Sequence, residues 1–196
     1  MAVVRQPAFV VAASAGALSY GVMNLLMAST PLAMQQCGLA FADAAFVLEW
    51  HVIGMFAPGF FTGSLIKRFG ALKIMGTGVV LTLACIGTAL SGVEIQHFTA
   101  ALFLLGVGWN FLFVGSTTLA LTAYRPEEKE KAQAALNFTL FSVMAISSFA
   151  AGALVTTSGW TILNIGALLP TLVMGGAVTW LGLRARMAAF RGSPAD

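Results

Sequence analysis

Polar residues punctuate this chain instead of alternating within it. Six long apolar stretches run at about 8–35, 42–66, 72–92, 97–123, 132–157 and 160–183, with short polar segments between them. About 20 apolar residues suffice for an α-helix to cross the hydrocarbon core of a bilayer. Without water to satisfy the backbone, such a stretch must be helical. The pattern predicts an all-α integral membrane protein with six transmembrane helices, forming one transmembrane domain over residues 1–196. Spans and turns use up the chain, so no soluble domain is expected.

Charge then orients the spans. All ten Lys and Arg residues fall in alternate connecting segments: Arg5; Lys67, Arg68 and Lys73; Arg125, Lys129 and Lys131; Arg184, Arg186 and Arg191. The segments near 36–41, 93–96 and 158–159 hold none. The positive-inside rule predicts a multi-pass chain of the cell (inner) membrane with both termini cytoplasmic. A net charge of +3 in a chain 59% apolar and 9% charged therefore reports topology, and no nucleic-acid partner is expected. The first stretch is too long for a signal-peptide core, and no small-residue cleavage pattern follows it.

Short connections predict that consecutive helices are antiparallel neighbours. Gly59 and Gly63 on the second span form a small-xxx-small pair, and Gly106 and Gly108 lie in the fourth; such residues let helices approach closely in lipid. Asp43 reads as the cap or first-turn acid of the second span, and Pro126 as a helix-start residue followed by first-turn acids. Pro31 and Pro58 predict local loss of helix hydrogen bonds. Asn110 and Asn137 read as interhelical hydrogen-bonding amides, and His97 as a solvated residue at an outer helix start. Cys37 and Cys85 sit in different places along their spans, so no disulfide is expected.

One constellation carries candidate chemistry. Met23 and Met27 stand i, i+4 on the first span, and His51 and Met55 stand i, i+4 on the second. Each pair projects from one helix face. Counting from the shared outer turn puts Met27 level with His51 and Met23 level with Met55. Thioether sulfur and neutral imidazole suit Cu(I), whereas Mg and Ca require oxygen. Methionine also packs well in any apolar core, so the bland reading of the Met pair is packing. An imidazole within a span is costly and marks a pathway or site by default. Glu49, two residues from His51, points to another face; it could carry protons, pair with a partner helix or lie in a wet vestibule. Met34 is seven residues above Met27 and is a candidate capture ligand.

The turn Gly63-Ser64-Leu65-Ile66-Lys67-Arg68-Phe69-Gly70-Ala71-Leu72-Lys73 resembles the glycine and basic signature between helices of each half of major facilitator superfamily transporters, although its usual acidic residue is absent. That resemblance implies one six-helix half of a twelve-helix fold. The stretches Tyr20–Met27, Pro31–Met34, Trp50–Pro58 and Leu105–Gly115 resemble the carboxy-terminal half of CcoA-type copper importers. The resemblance implies that Met23, Met27, His51 and Met55 bind transported copper, with Cys37 as a possible accessory. It also implies an Asn-Asp pair near 132–138, where this chain has no carboxylate.

No nucleophile–base pair, phosphate loop or nucleotide motif is present, so the expectation is a transporter and not an enzyme. No cofactor is expected, copper being the cargo. The leading expectation is Cu(I) uptake into the cytoplasm. The expected partners are the lipid bilayer, the copper ion, and a second six-helix half or a homodimer mate. The alternatives are a facilitator half for a small organic solute coupled to protons, with His51 and Glu49 handling them, and a membrane interaction subunit that transports nothing.

Overall fold

The structure, a computed structural model, describes residues 5–191. Its helices are α1 (Pro7–Gln36), α2 (Phe41–Phe56), α3 (Gly59–Phe69), α4 (Ala71–Ser91), α5 (Ile95–Leu121), α6 (Lys129–Thr157) and α7 (Gly159–Arg191). There is no strand among the described residues. Six spans are long and apolar enough to cross a membrane, with α2 and α3 together making one over Phe41–Phe69. The predicted stretches match these spans, and the chain termini themselves lie outside the described residues.

Local chemistry sets the helix ends. The Asp43 carboxylate accepts a hydrogen bond from the Ala40 N–H at 3.0 Å, tying down the start of α2. Pro126 opens a 3₁₀ turn, Pro126–Glu128, that leads into α6. Gly70, at φ 88°, turns the chain from α3 into α4 through a conformation other residues rarely adopt.

The second span is broken, not continuous. Pro58 has no N–H, so the carbonyl of Gly54 loses its helix donor. The chain restarts with Phe61 and Thr62 both donating to the Pro58 carbonyl, at 3.0 and 2.9 Å. By contrast Pro31 sits inside a helix that continues to Gln36.

Lateral order departs from chain order. α5 packs against α4, α2 and α1, and α1 packs against α6, α5 and α7. The consecutive helices α1 and α2 touch only at the margin, as do α6 and α7. The result is a row, α2/α3–α5–α1–α6, with α4 and α7 packed behind its two central members. The expectation that consecutive helices are neighbours holds for α4 and α5 and is corrected for α1 and α2 and for α6 and α7: α5 stands between α2 and α1, because α1 and α5 present the longest buried faces.

Glycine makes the close crossings: Gly106 and Gly108 do so as expected, whereas Gly59 and Gly63 do not. A Cβ on Gly63 would meet nothing within 4 Å. At the α2–α5 crossing a Cβ on Gly106 would stand 2.5 Å from the His51 carbonyl oxygen, and one on Gly54 would stand 2.7 Å from that of Phe103. Gly78 and Gly108 make the same kind of contact between α4 and α5. Backbone-to-backbone approach of this kind replaces the hydrophobic drive that lipid removes. Outer elements pack thinly. α6 buries the narrow stripe Ala132, Leu136, Leu140, Ser147, Ala151 and Val155, and leaves Phe138, Phe141 and Phe149 exposed.

Candidate functional site at mid-span

α4 and α7 cover one side of the row, and among the described residues no helix covers the other. On α1, Tyr20, Asn24, Met27 and Pro31 recur at helical spacing and are all half-buried. Tyr20 touches aromatic rings of α5, and Asn24 touches α6. The stripe therefore runs between those two helices, on the uncovered side.

Polar groups in a span must find partners inside the protein, and here they gather near the middle of the spans. The Asn24 side-chain N–H donates to the Ser147 and Ser148 hydroxyls at 3.0 and 2.8 Å. Beside it lies an aromatic group. Trp109 and Phe113 stack at 5.0 Å with 10° between planes, and Tyr20 meets both edge-on at 5.5 and 5.9 Å. The Trp109 indole N–H is buried and has no hydrogen-bond partner. One edge of this face is thus an amide, a phenol and aromatic rings. Sequence reasoning missed this cluster, although Tyr20 and Asn24 flank the first methionine of the motif it did single out.

On the other side of α5, Asn110 bridges the broken span. Its side-chain N–H donates to the Met55 carbonyl at 2.8 Å, and its side-chain oxygen accepts from the Thr62 hydroxyl at 2.7 Å. The interhelical role predicted for Asn110 holds. Asn137, predicted alike, is exposed instead.

His51 is fully buried. Its Nδ1–H donates to the Leu102 carbonyl of α5 at 2.7 Å, and its Nε2 is buried without a partner. Met23 and Met34 are buried in the main apolar cluster, and Met27 and Met55 pack against it half-buried. The three methionines of the paired motifs thus share one apolar cluster while His51 is tied to α5, and α1 and α2 do not face each other directly to close a site. Met34 has no accessible surface, because it lies about three turns above Met23 on the same buried stripe; a capture ligand would need an accessible sulfur. Glu49 is exposed, off the Ala44, Val47, His51, Gly54 stripe that α2 buries. Cys37 is an exposed free thiol at the end of α1, and Cys85 is buried and free. His97 is half-buried with its ring against Gly92, not solvated as expected. Among the described residues no three His, Cys, Asp or Glu side chains gather at one point.

The sequence is similar to that of known transporters. The sequence model of the Major Facilitator Superfamily matches residues 12–193. Over 162 residues the chain is 43% identical to the riboflavin transporter RfnT of Brucella anthropi, covering 83% of this chain and 41% of that one. It is 29% identical to the uncharacterized MFS-type transporter YddS of Bacillus subtilis, covering 81% and 37%. It is also 29% identical to the 4-hydroxybenzoate transporter PcaK of Pseudomonas aeruginosa, covering 73% and 32%. The chain thus spans between 32% and 41% of the length of these curated relatives.

Proposed function

This chain belongs to the major facilitator superfamily, and on that premise we propose that it forms one six-helix part of a transporter for a small organic solute with a planar ring. The observation that carries this reading is the 43% identity to a riboflavin transporter over 83% of the chain. Riboflavin and 4-hydroxybenzoate share an aromatic ring edged with hydrogen-bonding groups. The uncovered face supports such a solute. Tyr20 and Phe113 offer half-buried ring surface, and Asn24 lies next to them with its carbonyl oxygen free of hydrogen bonds among the described residues. Ring stacking and one or two polar contacts are the usual content of a small-molecule site. The site is completed by a second six-helix part or a second copy packed on the same face. An exposed carboxylate within a span is costly in lipid, so Glu49 belongs on a wet or partnered surface, where it is available to carry protons.

One observation favours copper as a second reading. A metal-binding imidazole characteristically donates its other N–H to a carbonyl, and His51 does so while holding a buried, unpartnered Nε2. Met55 stands one turn away, and Met23 and Met27 share its apolar cluster. None of the relatives named above is a copper transporter by name, so the organic solute leads. The deciding experiment measures labelled riboflavin uptake and copper accumulation side by side, in cells lacking their own importers and with the complementary half supplied. Riboflavin uptake that falls with Asn24→Ala and Tyr20→Ala supports the first reading. Copper accumulation that falls with His51→Ala, in cells with no riboflavin uptake, overturns it in favour of the second.

A further inference from the structure

At the end of the bundle that carries the basic residues, a groove of about 430 Å³ opens between the α3–α4 turn and the last turns of α7. Its volume is within the range of about 300–1,000 Å³ typical of sites that hold small molecules. Its floor is apolar, with Leu72 from α4 and Val178, Gly182 and Leu183 from α7. A Cβ on Gly182 would meet nothing within 4 Å, so the trough is open at that point. Lys73 and Arg186 line it from opposite walls, and no carboxylate does. Among the described residues the acids of this end are Glu127 and Glu128 in the turn before α6 and Glu130 in its first turn. α4 begins here without a side-chain cap, so its first N–H groups add a fixed positive potential. Arg68 lies 5.2 Å above the ring of Phe69, and Arg184 lies 5.4 Å above that of Trp180. Aromatic rings paired with arginine suit the membrane–water boundary.

An apolar trough ending in two cations, at headgroup level in a bilayer, matches one kind of molecule. We infer that this groove holds an anionic phospholipid, with an acyl chain along Leu72, Val178 and Gly182 and the headgroup phosphate between Lys73 and Arg186. Basic pockets between spans on the cytoplasmic side recognise such headgroups. The inference does not depend on which solute is carried, since the groove lies behind the row, between α4 and α7.

The test is lipid selectivity of the purified full chain in micelles containing equal phosphatidylglycerol and phosphatidylcholine, read by native mass spectrometry of retained lipid. The parent retains phosphatidylglycerol preferentially. Lys73→Gln and Arg186→Gln each reduce that preference by about fivefold, the worth of one basic residue close to an anionic surface. Gly182→Leu fills the trough, leaves every charge in place and also abolishes retention. Lys129→Gln/Lys131→Gln, the same loss of charge at the other basic turn, retains the preference, and millimolar inorganic phosphate displaces nothing. All the substituted cations are exposed, so the fold is not at stake. Full preference in the Lys73→Gln/Arg186→Gln double variant, equal loss in the control, retention by Gly182→Leu, or displacement by phosphate would each overturn the inference.

Discussion

Replacing Gly106 by Ala adds one methyl group at the tightest point between α2 and α5. Its Cβ would stand 2.5 Å from the His51 carbonyl oxygen, 2.8 Å from the Met55 nitrogen and 2.9 Å from the Gly54 carbonyl carbon. All three are backbone atoms, so no side-chain rotation relieves the contact. The helices must separate by roughly 1 Å to restore ordinary van der Waals distances, and a gap of that size forfeits up to about half of each neighbouring contact. Separation also stretches two hydrogen bonds that cross the same interface, His51 to Leu102 at 2.7 Å and Asn110 to Met55 at 2.8 Å. Overpacking costs about 1–3 kcal/mol, and each weakened bond adds up to about 1 kcal/mol. The better helix propensity of Ala returns under about 1 kcal/mol. The net expectation is a loss of about 2–3 kcal/mol. Gly63→Ala is the matched control: the same chemical change in open space, expected to be neutral or slightly stabilising. Unfolding of both variants and the parent in mixed micelles, titrated with SDS and followed by tryptophan fluorescence, reads the difference. Unfolding of Gly106→Ala together with Gly63→Ala would refute the crowding at this crossing.

Other predictions follow from particular contacts. Asn110→Leu should lower stability by about 1–2 kcal/mol, the range for two hydrogen bonds inside a membrane. Thr62→Ala should lower it less, because the Asn110 bond to Met55 survives that change; the reverse order in the same titration would contradict the bridging role. In the folded protein a maleimide should label Cys37 and spare Cys85, which should react only after unfolding; mass mapping of labelled peptides checks both. Reporter fusions at Gln36 and after Arg186 should report opposite sides of the membrane, as the basic residues require, and matching signals would reject the topology.

Hydropathy read the spans well because length and apolarity are properties of each segment alone. It could not read their neighbours. The margin between α1 and α2 looked like an interface because the two segments are adjacent in sequence, whereas burial of both faces of α5 decides who stands beside whom. The small-xxx-small pattern marks where close approach is possible. Gly54 and Gly106, outside that pattern, make the close approach, and Gly63, within it, does not, because no helix among the described residues crosses there. The His51 and Met55 spacing rightly placed two side chains on one side of α2. The carbonyl that fixes the imidazole belongs to Leu102, 51 residues away, and no local pattern points to it. Pro58 did announce a disturbed helix. What it did not announce is the bridge across the break: the Asn110 amide donates to the Met55 carbonyl and accepts from Thr62, 55 and 48 residues away in sequence.

That division has a consequence for biosynthesis. α2 and α3 are 16 and 11 residues long, and neither reaches the length of about 20 needed to cross a bilayer alone. They enter the membrane as one segment, before their bridging partner exists. The Met55 carbonyl waits for an amide made 55 residues later. At about 5–20 residues per second, that delay is about 3–11 s, during which the nascent span must satisfy its backbone some other way. Pro58 sets the break within the segment itself, but the bridge across it is made only when α5 arrives.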